Sequence, residues 1–147
     1  MNEDKSKLRR PITVLLVQPD VILNFFICEF LEEAGFKVFD VATTDEAMAH
    51  LQQHTEISAV IAEYAPGKTT DGSFIQRTAI QFPQMALVVT IDDGIIATDL
   101  PVDVMLLAKP FEPEMVEEIL SYFLDKFQTG RERFSNLPMT ASQERSS

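Results

Sequence analysis

Short apolar runs alternate along the chain with stretches whose apolar residues recur every three or four positions. Ile12–Val17 is apolar except for Thr13, and a run this short and continuous predicts a strand buried on both faces. Phe36–Ala42 carries Lys37 and Asp40 among its apolar residues, which suits a sheet-edge strand. Ile57–Ala62, Met85–Ile91 and Val102–Ala108 supply three more strands. Asp20 is placed to cap a helix from Val21 to about Ala34, with Gly35 as a left-handed stop. Thr43 and Glu46 form a capping box for a second helix reaching about His54. A loop from Gly67 to Gly72 leads to a helix over about Ser73–Phe82, stopped by Pro83. Asp92–Pro101 leaves room for two helical turns at best. Pro113 opens a last helix that continues to about Phe127.

Strand and helix alternate throughout, which predicts an α/β, doubly wound sheet with helices on both faces. The expected order of its five parallel strands is 2-1-3-4-5, with the fourth helix shortened or missing. In such sheets the crevice lies at the carboxyl ends of the strands, where the order reverses. Gln18, Pro19 and Asp20 stand on one side of that crevice and Glu63 on the other. The domain covers residues 11–127. Residues 1–10 read as a disordered lead-in. Residues 128–147 read as a polar, disordered tail in which Phe134, Leu137 and Met139 are apolar exceptions.

Charge narrows the choice of partners. The chain has 12 Lys and Arg against 23 Asp and Glu, a net charge of −11. The imbalance sits in the body, where Pro11–Phe127 holds 5 basic and 19 acidic residues. Nucleic acid and anionic membrane have no cations to pair with such a surface, so neither is an expected partner. No stretch approaches about 18 uninterrupted apolar residues, and Ile12–Val17 is too short for a signal-peptide core. The cytosol is the expected location. The single cysteine, Cys28, excludes a disulfide within the chain and any multi-cysteine zinc site.

Two helices are more apolar than a core requires. In the first, Leu23, Phe26, Ile27, Phe30, Leu31 and Ala34 form a core stripe at helical spacing. Val21, Ile22, Phe25 and Cys28 form a second stripe where an amphipathic helix would be polar. In the last, Val116, Leu120, Phe123 and Phe127 fit the core, leaving Met115, Ile119 and Tyr122 on another face. Burying a large apolar side chain gains about 1.5–3 kcal/mol, which favours a protein contact here, with a heterologous partner or a second copy.

Several local sequences, in this order, are similar to the receiver domain of two-component response regulators. Leu107-Ala108-Lys109-Pro110-Phe111-Glu112-Pro113 resembles the Lys-Pro-Phe signature after strand five. Val88-Val89-Thr90 resembles the strand-four segment ending in Thr or Ser. Leu31-Glu32-Glu33-Ala34-Gly35-Phe36 resembles the end of the first helix, and Asp71-Gly72 the turn opening the third. The resemblance covers about Pro11 to Phe127. It implies phosphoryl transfer from a kinase histidine to an aspartate at the end of strand three. Mg²⁺, held by that aspartate and an acidic pair after strand one, offsets the repulsion between carboxylate and phosphate.

This chain departs from that chemistry. The acidic pair aligns with Gln18, a neutral and poorer Mg²⁺ ligand, and Pro19, which has no side-chain oxygen. Only Asp20 remains acidic. The acceptor position holds Glu63, one methylene longer than aspartate, which resembles an imitation of the phosphorylated residue more than an acceptor. Lys109 matches the lysine that contacts the phosphoryl group and is expected to meet the Glu63 carboxylate. Leu106 stands where the family has a switch aromatic. The interval from Thr90 to Lys109 is also shorter than the family's.

Other motifs fare less well. Ala62-Glu63-Tyr64-Ala65-Pro66-Gly67-Lys68-Thr69 satisfies a loose phosphate-loop pattern, with Asp92 as a possible Mg²⁺ aspartate. Pro66 removes an N–H, Glu63 places negative charge where phosphate would sit, and Thr70-Asp71-Gly72 delays the helix. His50 and His54 share a helix face, but two ligands do not make a metal site. The expectation is therefore a stand-alone, atypical receiver, not an enzyme, with no cofactor and no metal. Its partners are a histidine kinase, a phosphotransfer protein, another signalling protein or a second copy. The alternatives are a phosphorelay receiver phosphorylated on Glu63 or Asp20, and a nucleotide binder using Gly67-Lys68-Thr69.

Overall fold

The computed structural model describes residues 12–65 and 72–129, with side chains of the last helix described as far as Tyr122. The expected phosphate-loop residues Gly67, Lys68 and Thr69, both terminal segments and the side chains of Phe123 and Phe127 lie outside that range. Five parallel strands are present: β1 (Thr13–Val17), β2 (Lys37–Val41), β3 (Ile57–Glu63), β4 (Ala86–Ile91) and β5 (Met105–Ala108). Their order is β2-β1-β3-β4-β5, as the sequence predicts. β1 and β4 are buried along their whole length, which is why their sequences read as continuous apolar runs. Edge strand β2 exposes Lys37 and Asp40, leaves Val38 and Phe39 half-buried and buries only Val41.

Four helices cover the sheet: α1 (Val21–Glu33), α2 (Thr44–Gln53), α3 (Gly72–Gln81) and α4 (Pro113–Thr129). Both expected N-caps form. Asp20 Oδ1 accepts from the N–H groups of Ile22 and Leu23, and Thr43 Oγ1 accepts from Glu46 N–H. Glu46 Oε1 in turn accepts from Ala42 N–H, completing the capping box. Gly35 has the positive φ of 104° expected of a helix stop. Between β4 and β5 the chain makes turns and bends but no helix. Among the described residues no helix is long and apolar enough to cross a membrane.

Side chains alternate between two cores. On one face Val14, Leu16, Ile61 and Val88 pack with Ile27 and Leu31 of α1 and Val116 and Leu120 of α4. On the other Leu15, Val17, Val60 and Val89 pack with Leu51 of α2 and Phe74 and Ile75 of α3. Ala97, Leu100 and Val104, from the segment without a helix, also pack on this second core.

The faces of α1 and α4 correct part of the sequence reading. Ile27 and Leu31 are buried, but Phe26 is 58 % exposed rather than in the core. It precedes Ile27 by one residue, about 100° around the helix, which carries it off the buried arc. Ala34, also assigned to the core stripe, is exposed. Cys28 moves the other way and packs against the first core. On α4, Ile119 also packs there, leaving Met115 and Tyr122 exposed.

Candidate functional site

The carboxyl ends of β1, β3 and β4 converge where the strand order reverses. Glu63, the last residue of β3, is in register with Thr90 of β4. Lys109 follows β5 directly, and its N–H donates to Ile91 O at 2.8 Å. These placements bring Lys109 Nζ to 2.7 Å from Glu63 Oε2, the ion pair expected from the sequence. Nζ also lies 3.4 Å from Asp92 Oδ1. Both members of the close pair are largely shielded, with side-chain exposures of 24 % for Lys109 and 15 % for Glu63. Burial pulls the Lys109 ammonium down, but the hydrogen bond and charge of Glu63, joined by Asp92, outweigh it and hold the pKa above the ordinary lysine value.

The other side of the crevice has turned its polar groups inward. Gln18 is buried. Its Oε1 accepts from Asp20 N–H at 3.0 Å, and its main-chain oxygen accepts from Asn24 Nδ2 at 3.3 Å. Pro19 is exposed and supplies no side-chain oxygen. Asp20, the one acid left there, has its Oδ1 engaged in capping α1. Thr90 is 1 % exposed, and its Oγ1 has no hydrogen-bond partner among the described residues. Leu106, at the position of the family's switch aromatic, is half-buried against the second core.

The receiver fold implies Mg²⁺ at this point, and these residues do not fit it. Gln18 Oε1 and Asp20 Oδ1 are engaged by main-chain donors, Pro19 has nothing to offer, and Glu63 Oε2 is held by an ammonium group. Among the described residues no three His, Cys, Asp or Glu side chains converge as a metal site would require.

Two participants were not foreseen. Asp92, weighed only as a partner for the phosphate-loop pattern, faces Lys109 instead. Its place just past the end of β4, two residues beyond Thr90, is the signal that could have found it. Tyr64, next to Glu63, is buried and donates its hydroxyl to Asp99 Oδ1 at 2.6 Å. No local pattern connects residues that far apart in the chain.

No family model matches the sequence, and no curated protein matches it. Solved structures do. A response regulator receiver protein from Sinorhizobium medicae WSM419 is 24 % identical with a TM-score of 0.71, over 79 % of this chain and 96 % of that one. A receiver domain protein, CheY-like, from Methanospirillum hungatei JF-1 is 16 % identical with a TM-score of 0.68, over 82 % of this chain and all of that one, 100 %. A response regulator receiver domain protein from Clostridium thermocellum is 15 % identical with a TM-score of 0.69, over 80 % and 98 %. The chain has the fold of response regulator receiver domains.

Proposed function

We propose that the protein is an atypical receiver that acts in cytosolic signal transduction by binding other proteins, without conventional aspartyl phosphorylation. The 2.7 Å contact between Lys109 Nζ and Glu63 Oε2 carries this reading. The cation that would receive a phosphoryl group already has a carboxylate against it. The carboxylate that would attack is held by that cation, with no acidic pair to seat a metal beside it. Such a pocket is a fixed structural element, and what the molecule has left to offer is its surface.

The outer face of α1 is the surface in question, as the sequence stripes suggest. Its first two turns expose Val21, Ile22, Phe25 and Phe26, each more than half exposed, and the two phenylalanine rings meet edge to face at 5.8 Å. Met115 and Tyr122 are also exposed on α4, the helix packed beside α1. Toward its C-terminus the same face of α1 becomes acidic, with Glu29, Glu32 and Glu33 exposed, and α1 carries no basic residue. Apolar contact flanked by carboxylates suits a partner whose apolar residues are flanked by Lys or Arg. A second copy would bring like charges together, so the charge favours a heterologous partner over a homodimer.

Incubation with Mg²⁺ and a small-molecule phosphodonor, read by intact mass, tests the reading. An unchanged mass is expected. A phosphate-sized increase that disappears in Glu63→Ala would overturn it in favour of a phosphorelay receiver. One observation favours that second reading: the Thr90 hydroxyl, buried beside Glu63 without a partner among the described residues, is a donor still available to a phosphoryl oxygen. The mass of Asp20→Ala, measured in parallel, separates the two candidate acceptors.

A further inference from the structure

On α1 one stripe changes character along its length. Ile22, Phe26, Glu29 and Glu33 recur at intervals of three and four residues, with Phe25 beside them, so they share a side of the helix, and all are exposed. Glu29, Glu32 and Glu33 crowd the end where main-chain carbonyls already concentrate negative charge, and no basic residue stands in the last turn to offset them. The stripe thus suits apolar groups at its start and cations at its end. α1 and α4 follow strands of one parallel sheet and pack side by side, so both run from the carboxyl ends of the strands toward the amino ends. They are 13 and 17 residues long, about 20 Å and 25 Å, so the chain leaves α4 at the acidic end of α1.

Residues 130–147 come next and lie outside the described range. Their sequence runs Gly130-Arg131-Glu132-Arg133-Phe134, then Leu137 and Met139. An extended chain carries Arg131, Arg133, Leu137 and Met139 on one side and Glu132 and Phe134 on the other. Going back from Glu33, α1 offers the matching order, carboxylates and then Phe26, Phe25 and Ile22. The spacing matches too: four extended residues from Arg133 to Leu137 cover about 13 Å, and the eight helical residues from Glu33 back to Phe25 about 12 Å. We propose that residues 130–139 fold back and dock on α1, Arg131 and Arg133 against Glu29 and Glu33, Leu137 and Met139 against Phe25, Phe26 and Ile22. Gly130, directly after the last helical residue, is the residue type that reverses a chain there. This contact rests on the reading of α1 as a docking surface and supplies its regulation, since a partner must displace a competitor tethered a few residues away. Two apolar side chains and two exposed ion pairs make a weak contact, which a partner can displace and which adds little to folding stability. Tethering also favours the chain's own segment over that of a second copy.

Amide NMR of the full chain carrying Cys28→Ala and a nitroxide on Ser142→Cys tests it. The signals of Val21–Phe26 are expected to weaken relative to the reduced label, while those of α2 and α3 keep their intensity. Leu137→Ser/Met139→Ser should restore them, and so should Arg131→Glu/Arg133→Glu. Full intensity at Val21–Phe26 with the oxidised label, or a loss spread evenly over all helices, overturns the docking. A loss that either double variant leaves unchanged does so too. Equal loss in an isotope-enriched chain without label, mixed with a labelled unenriched one, would assign the face to a second copy and overturn the fold-back. Should Cys28→Ala fail to fold, the Val21–Phe26 amide shifts between wild type and Leu137→Ser/Met139→Ser give the same answer, and unchanged shifts overturn it. Each such failure leaves the phosphodonor result standing, so it is distinct from a failure of the binding-only reading.

Discussion

Two regions that adjoin in sequence have gone opposite ways. Gln18, Pro19 and Asp20 close the crevice at the sheet's carboxyl end, and Val21, Ile22, Phe25 and Phe26, next along the chain, open an apolar face to solvent. In the crevice most polar groups are turned toward a main-chain donor or into an ion pair. On the helix face apolar groups stand outward with nothing over them among the described residues. A reactive pocket needs polar atoms left available to a ligand, whereas a docking surface needs apolar area left uncovered. Here the first has been largely used up and the second retained.

Substitutions sharpen this contrast, the largest effect coming from the inner face of α1. Ile27→Ala should destabilise the protein by about 2–5 kcal/mol, because it leaves a cavity in the first core. Phe25→Ser, two residues away, should change stability by no more than about 0.5 kcal/mol in the same denaturant titration. Equal losses would show that the outer face is structural. In the crevice, Lys109→Ala strands the shielded Glu63 carboxylate and should cost about 1–3 kcal/mol. The double variant with Glu63→Ala should recover part of that loss, and strict additivity would deny the pair.

Alkaline pH probes the two shielded groups. Burial, reinforced by Glu32 and Asp40, pushes the Cys28 thiol from 9.0 up to about 11. The folded state thus favours the neutral thiol, a contribution fully present below pH 9 and lost as pH rises through about 11. Cys28→Ala should flatten stability across that window. At neutral pH the thiol should react with disulfide reagents about tenfold more slowly than a free cysteine, since its smaller thiolate fraction is partly offset by greater nucleophilicity. Lys109, also raised, keeps its contribution up to the ordinary lysine value of 10.5 and loses it only as pH climbs above that value. The smallest effect is expected at Thr90. Thr90→Val replaces an unpartnered buried hydroxyl with a methyl group and should be neutral or stabilising by up to about 1 kcal/mol. A clear loss there would show that the hydroxyl has a partner.

What could be read from the sequence follows from how local the cause is. The buried strands, both N-caps and the left-handed stop at Gly35 are set by residues within a few positions of each other, and they formed as expected. The Glu63–Lys109 pair was legible only through resemblance, because the sheet's strand order is what brings β3 and β5 ends together. Phe26 was misplaced because adjacent residues on a helix rich in apolar positions differ only by rotation, and only packing shows which arc is buried. Asp99 was invisible for a different reason. It sits in a segment with no periodicity, and its partners Tyr64 and Gln76 belong to other elements.

A titration with millimolar Mg²⁺, followed by amide NMR shifts, tests the central claim most directly. The crevice described here predicts no saturable shift at Gln18, Glu63, Thr90 or Lys109. Saturable shifts at those positions, abolished by Glu63→Ala, would contradict it.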